Sequence, residues 1–179
     1  FKKLRHQGMI LAYTYYGPDK RLVPQSDVEE RAGNYFKAGT DIALTSRLEK
    51  MSKRKGNVIN PDDIIPRLGA DALRVYICFM GPLESDKPWQ TNGMEGQHNW
   101  LKRVWRLYFG QDDTPIATDD EPTEAELKVI HKVIKKVTLD IESLAFNTAI
   151  SALHIATREL TGLSCTSKTA LGWLAQVMA

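Results

Sequence analysis

The sequence predicts a mainly α chain with a small antiparallel β region at the N-terminus. Three observations carry that reading. Up to Leu48, short runs of β-formers alternate with turn residues. From Asn60 onward, apolar residues recur at spacings of three and four, the period of a helix packed on one side. Between these regions, Lys50-Met51-Ser52-Lys53-Arg54-Lys55-Gly56-Asn57-Val58 places four cations within six residues and exits through Gly-Asn. Such a run suits neither core strand nor core helix, because Lys and Arg are rarely buried unpaired.

Taken in order, Phe1 to His6 suits the tail of a helix stopped at Gly8. Met9 to Tyr16 is a strand, Gly17-Pro18-Asp19 a turn, and Arg21-Leu22-Val23 a return strand. Ser26 to Glu30 fits either a strand or one helical turn. Gly33-Asn34 turns the chain into Tyr35-Phe36-Lys37, and Thr40-Asp41 opens a last extended piece that reaches Leu48.

Asn60-Pro61-Asp62-Asp63 then reads as a helix start: an N-cap, a proline at the first helical position and carboxylates in the first turn. That helix ends by Gly69. Asp71 is expected to cap a second one running from Ala72 towards Met80, with Leu73, Ile77 and Met80 on one face and Gly81-Pro82 as its stop. Leu83 to Gly96 reads as an ordered loop. A third helix from about Gln97 to Phe109 carries Trp100, Leu101, Val104, Trp105 and Tyr108 as its apolar stripe, with Lys102, Arg103 and Arg106 on the other side. Gly110 to Pro122, acidic and proline-bearing, reads as a boundary. Thr123-Glu124-Ala125-Glu126 is a capping box. The helix it opens turns Leu127, Ile130, Ile134 and Val137 inward and Lys128, Lys132, Lys135 and Lys136 outward. A longer helix from about Leu139 to Leu160 is expected to stop at Gly162, and Ser167 to Ala179 begins another.

Composition narrows the class. With 179 residues, 42% hydrophobic and 26% charged, the chain has the balance of an ordinary globular protein. Its net charge of +2 does not itself demand a nucleic-acid partner; the basic and acidic stretches say more than their sum. No apolar run approaches the roughly 18 residues of a membrane span, and no secretory signal is visible, so no membrane partner is expected. Cys78 and Cys165 lack metal-type spacing; no metal site is expected, Cys78 reads as a buried thiol, and a reducing, cytoplasmic location follows. The first residue is Phe1 rather than Met, which suggests a piece of a longer protein.

The chemistry concentrates in Lys50–Val58. Ammonium and guanidinium groups, the Ser52 hydroxyl and a permissive Gly56 describe a mobile loop offering donors to a polyanion, at roughly 1.5–3 kcal/mol per charge-assisted bond. On its other side Asn57 tolerates left-handed backbone. The histidines His6, His98, His131 and His154 are isolated and read as surface or packed side chains.

The literal string Lys50-Met51-Ser52-Lys53, followed by a basic residue and Gly56-Asn57, resembles the KMSKS signature of class I aminoacyl-tRNA synthetases. Gln7-Gly8-Met9, Lys50 to Asp63, Gly69-Ala70-Asp71-Ala72-Leu73-Arg74, Met80 to Trp89, Gly93-Met94-Glu95-Gly96, Arg103 to Leu107 and Phe146 to Ile150 together resemble the bacterial-type leucyl-tRNA synthetases. Gly81-Pro82 with Asp86-Lys87-Pro88-Trp89 is the most specific part, because valyl- and isoleucyl-type enzymes read differently there.

The resemblance implies an ATP-dependent ligase of protein biosynthesis that joins leucine to tRNA(Leu), with ATP and Mg2+ as substrate complex and a monomeric state. It makes Lys53 the catalytic residue and Lys50, Met51, Ser52, Lys53 and Arg54 the ATP-binding loop. Lys102, Arg103 and Arg106 become tRNA contacts. It implies an end of the catalytic domain with a small β insertion at 1–59, stem-contact helices at 60–110, an acidic linker at 111–122 and part of an anticodon-binding helical bundle at 123–179. The fifth signature position is Arg54 instead of Ser, and no His-x-Gly-His string occurs. The leucine pocket is therefore expected outside these residues, and the chain alone is expected to be inactive. The other reading is a freestanding, non-catalytic RNA-binding module.

Overall fold

The computed structural model describes residues 4–179. The chain is about half helical with small antiparallel sheets, in the order β1 (Ile10–Tyr16), β2 (Leu22–Val23), β3 (Val28–Arg31), β4 (Asn34–Lys37), β5 (Thr45–Lys50), α1 (Pro61–Leu68), α2 (Ala70–Phe79), β6 (Lys87–Pro88), α3 (Thr91–Tyr108), α4 (Glu124–Glu142), α5 (Phe146–Gly162) and α6 (Lys168–Met178). Two compact units divide it: residues up to Ile64 with Glu84–Gln90, and Ile65–Leu83 with Thr91–Ala179. No helix among the described residues is long and apolar enough to cross a membrane.

The first unit is built on β1. Its seven residues pair antiparallel with β5 from Leu11↔Lys50 to Tyr16↔Thr45. Its other edge is shared by β2 at Tyr15↔Val23 and by β6, which runs parallel at Ile10↔Lys87. Directly opposed residues share a face, so Ala12, Thr14 and Tyr16 lie beside Glu49, Arg47 and Thr45. Tyr13 and Tyr15 take the opposite face and meet Tyr35 of the β3–β4 hairpin, with Tyr15 and Tyr35 edge-on at 4.9 Å. Burial and the neighbouring Tyr35 push the Tyr15 hydroxyl up to about 12. The Glu84–Gln90 segment is drawn in by Asp86, which accepts the Met9 amide at 2.7 Å, and Gly8 lies so close to the Ser85 backbone that no side chain fits. Ser26 to Glu30 resolves into both of its expected forms, a 3-10 turn at Gln25–Asp27 followed by β3. Leu4 to His6 are not helical, and Phe1 to Lys3 of the expected helix tail lie outside the described residues.

The second unit is a helical assembly around Trp100, Ile130, Val133, Val137, Leu153, Ala156, Leu160, Leu171 and Leu174. Each fully buried side chain of this size contributes roughly 1.5–3 kcal/mol. Polar ties run through it as well: the Trp100 indole donates to Thr157 Oγ1 at 3.1 Å, and the Tyr108 hydroxyl to the Leu171 carbonyl at 2.8 Å.

Several boundaries differ from the sequence reading. Helix α2 begins at Ala70 with Gly69 at its cap, so Asp71 sits in the first turn, paired with Arg74, and does not cap. Its buried face is Ala72, Leu73 and Tyr76, whereas Ile77 and Cys78 are exposed. Helix α3 starts at Thr91, six residues before Gln97, so the last six residues of the expected loop are helix. Its inner face is Met94, Gln97, Trp100 and Leu107, and Trp105 is exposed. Helix α4 runs on to Glu142 before the chain breaks at Leu144. There Leu144 takes φ 61°, its amide bonds Ile141 O, and the Ala145 amide bonds Asp140 O. This is a Schellman closure with leucine in the place usually held by glycine. The same closure ends α5 at Ser164, with Gly162 still helical. The Thr123–Glu126 capping box forms both of its bonds. The acidic segment after α3 is stitched down, the Thr118 amide bonding Thr166 O at 2.7 Å and the Lys168 amide bonding Thr118 O at 2.9 Å.

Candidate functional site

The basic run is a short structured turn hung from the β1–β5 pair. Lys50 ends β5, Ser52 is extended, and Lys53–Lys55 form one 3-10 turn closed by Lys55 N–H to Ser52 O (3.0 Å) and Gly56 N–H to Lys53 O (3.2 Å). Gly56 then adopts φ 64°, ψ 19°. A Cβ at Gly56 would meet nothing within 4 Å, so the demand for glycine is conformational and not one of space. That backbone reverses the chain and drives Asn57 inward.

Asn57 is 1% exposed and anchors the turn. Its Oδ1 accepts the Ser52 amide at 2.8 Å, and its Nδ2 donates to Thr14 Oγ1 at 2.9 Å and to Lys50 O at 3.4 Å. Both ends of the loop are thereby tied to the middle of β1. The sequence reading gave Gly56 permissive backbone and had Asn57 tolerate the left-handed region; Gly56 makes the reversal, and Asn57 is a buried connector, a role the sequence reading did not give it.

Charge is divided unevenly over the turn. Lys55 Nζ lies 3.0 Å from Glu49 Oε2, which also accepts the Tyr16 hydroxyl at 3.0 Å. These bonds, Lys55 first and then the hydroxyls of Thr14 and Tyr16, hold the Glu49 carboxyl below the usual glutamate range. The Arg47 guanidinium lies over the Tyr16 ring at 5.4 Å. Lys50, Lys53 and Arg54 are exposed and form no ion pair among the described residues, while Met51 and Ser52 are half-buried. One cation is therefore structural, and three are available to a ligand.

The basic residues of α3 are also unlike one another. Arg106 is held by Asp113 at 2.9 Å and donates to the Gly110 carbonyl, so its charge is compensated. Lys102 and Arg103 are exposed and without ion pairs among the described residues. Arg103 lines a groove of about 520 Å³ with His154, Thr157, Arg158 and Thr161. Arg158 lies 55 positions along the chain from Arg103, and only the packing of α3 on α5 brings them to one groove. His154 is packed, stacked on Trp100 at 4.4 Å and on Phe79 at 5.5 Å, with Nε2 bonded to Gln97 Oε1. Burial, and then Arg103, hold its pKa down. On the α4 face Lys136 pairs with Asp140 and Lys132 reaches Glu159 at 4.0 Å. Among the described residues no three His, Cys, Asp or Glu side chains converge on a metal position.

Comparison with known proteins gives the chain's relatives. The family described as tRNA synthetases class I (I, L, M and V) matches residues 40–90, which include the whole turn. Leucine–tRNA ligase of Parabacteroides distasonis is 53% identical over 132 residues, covering 74% of this chain and 14% of that protein. Leucine–tRNA ligase 1 of Rhizobium johnstonii is 42% identical over 163 residues, covering 90% of this chain and 19% of that protein. The chain belongs to the leucine–tRNA ligase family. It thus spans between 14% and 19% of the length of these ligases. A solved structure, the ternary complex of Agrobacterium radiobacter K84 agnB2 LeuRS with tRNA and LeuAMS, superposes with TM-score 0.58 at 29% identity, over 72% of this chain and 18% of that one. Arg54 is exposed beside Lys53 on the same turn.

Proposed function

We propose that this chain is the triphosphate-gripping and RNA-facing part of a leucine–tRNA ligase, which activates leucine with ATP to leucyl-adenylate and passes leucine to tRNA(Leu). One observation carries the reading: Lys53 and Arg54 stand exposed and without ion pairs among the described residues, on a turn that Asn57 pins to the sheet. In adenylation the leucine carboxylate attacks the α-phosphorus, the bond to the bridging oxygen breaks, and pyrophosphate leaves with the electron pair. The attacking group is already an anion, so no side chain here acts as a base; positioning and charge do the work. Lys53 stabilises the charge that grows on the leaving pyrophosphate, and Arg54 adds a planar, two-pronged phosphate donor. Lys50 and Ser52 support the phosphate contacts and Met51 packs by the adenine. Mg2+ arrives with ATP and neutralises part of the triphosphate charge; the turn supplies cations and not carboxylates, which fits a role at the phosphates.

In this reading residues 1–59 close the catalytic domain and carry its small β insertion. Residues 60–110 contact the tRNA stem side, 111–122 link, and 123–179 belong to the helical tRNA-binding bundle. Lys102 and Arg103 make the stronger RNA contacts and Arg106, already paired with Asp113, the weaker. The leucine pocket lies in the remainder of the ligase, and these 179 residues alone do not activate leucine. The test is leucine-dependent ATP–pyrophosphate exchange. In the full-length ligase Lys53→Ala is expected to lower the rate roughly 10²–10³-fold, and the isolated chain to give none. An unchanged rate in the variant refutes the phosphate role. Unchanged ATP affinity and rate in Arg54→Ser would show that Arg54 adds nothing. If the isolated chain binds tRNA in a salt-dependent way while ATP has no effect, the RNA-module reading holds instead.

A further inference from the structure

We propose that Glu49 is a positioning residue for the phosphate turn: it keeps Lys55 away from the triphosphate and sets the turn that presents Lys53 and Arg54. The inference rests on the triphosphate role above. Among the cations of the run, Lys55 alone has a carboxylate partner in the described residues, and that partner lies on the strand leading into the turn. The pair therefore closes the turn from its far end back to its entry. The Glu49 side chain is 24% exposed against 37% for Lys55, so the carboxylate is the fixed member. A second bond, from the Tyr16 hydroxyl to the same Oε2, holds it, and Arg47 stacked over Tyr16 holds that ring. Thr14, whose oxygen accepts from Asn57 Nδ2, lies on the same face of the β1–β5 pair as Glu49, and its hydroxyl helps to hold that carboxyl below the usual glutamate range. Glu49 and Asn57 thus meet at one face of the β1–β5 pair, with Ser52 N–H at one side of the turn and Lys55 at the other.

An ion pair as open as this contributes little to stability. Its consequence is directional. With Lys55 engaged, the turn's outward charge is Lys53 and Arg54; released, a third adjacent ammonium could follow the phosphates and hold the pyrophosphate after the bond has broken. Tighter binding of substrate and product alike does not raise the chemical rate.

The experiment compares Glu49→Gln, Lys55→Met and the double variant in the full-length ligase. Glutamine keeps the shape and an acceptor for Tyr16 while removing the charge. Glu49→Gln is expected to lower kcat of pyrophosphate exchange about tenfold and to lower KM for ATP about threefold. Adding Lys55→Met should return KM to the wild-type value. A tenfold rise in KM from Lys55→Met alone would make Lys55 a phosphate ligand and overturn the proposal, as would a Glu49→Gln enzyme unchanged in both constants or one with KM raised. A parallel measurement separates this proposal from the reading beneath it. In the 179-residue chain without nucleotide, Glu49→Gln should speed exchange of the Ser52 amide, and no change there overturns the positioning role whatever Lys53 does. If that exchange quickens but Lys53→Ala leaves the ligase rate untouched, the triphosphate reading has failed while the Glu49 network stands.

Discussion

Replacing Asn57 by alanine isolates what the buried connector does. The substitution removes an acceptor at 2.8 Å from Ser52 N–H and donors to Thr14 Oγ1 (2.9 Å) and Lys50 O (3.4 Å). The Ser52 amide is the main loss, because a donor left unpaired away from water costs about 1–3 kcal/mol. The Thr14 hydroxyl stays beside the Glu49 carboxylate on the same face, and the long Lys50 contact is weak, so together with the small void these losses add about 1 kcal/mol. The turn should open more easily by about 2–4 kcal/mol, which at 1.4 kcal/mol per decade accelerates Ser52 amide exchange roughly 30- to 700-fold. Amide exchange followed by NMR on the Asn57→Ala chain measures this directly, with helical amides of α4 and α5 as internal reference. Acceleration below about threefold, with those references unchanged, would refute the anchoring role. Asn57→Asp sharpens the result. It keeps the acceptor but buries a carboxylate, whose pKa burial raises; the penalty is present above that raised value and fades as pH falls through it.

Three further outcomes follow from the packing. A Cβ on Gly93 would stand 2.7 Å from the buried Tyr76 ring, so Gly93→Ala should cost the helical unit about 1–3 kcal/mol, whereas Gly96→Ala meets nothing within 4 Å and should add about 0.5–1 kcal/mol; urea midpoints of the two variants must move in opposite directions. The Thr123 amide holds the Glu126 carboxyl below its ordinary range, so its folded value is the lower one. The stability it confers is complete above the ordinary glutamate range and is lost as pH falls through that lowered value, and Glu126→Gln should flatten the acid limb of a melting-temperature profile. Cys78 is exposed and Cys165 buried, its thiol pushed up to about 12 by burial and by Glu126. A thiol reagent should label one site per native chain, and Cys78→Ser should abolish that labelling; fast labelling of Cys165 in the folded protein would contradict the packing.

Local order was legible in the sequence and long-range order was not. Turn residues, the capping box at Thr123–Glu126 and the helical spacing after Asn60 act over three or four positions, and the chain realises them. The basic turn was legible for the same reason: its four cations fall within six residues, and Gly56 declares the reversal. Helix ends capped by left-handed Leu144 and Ser164 carry no glycine signal, which is why α4 reads short and α5 reads long. Burial on α2 and α3 was misassigned at Ile77, Cys78 and Trp105 because spacing gives a stripe but not which side of it a neighbouring helix covers. The decisive case is Asn57. By itself the sequence determined that a cationic turn stands between sheet and helices. Only the pairing of β1 with β5, from Leu11↔Lys50 to Tyr16↔Thr45, decided that Thr14 and Glu49 share a face on which Asn57 and Lys55 can be held. A strand's register sets which side chains meet, and register is a property of two segments together.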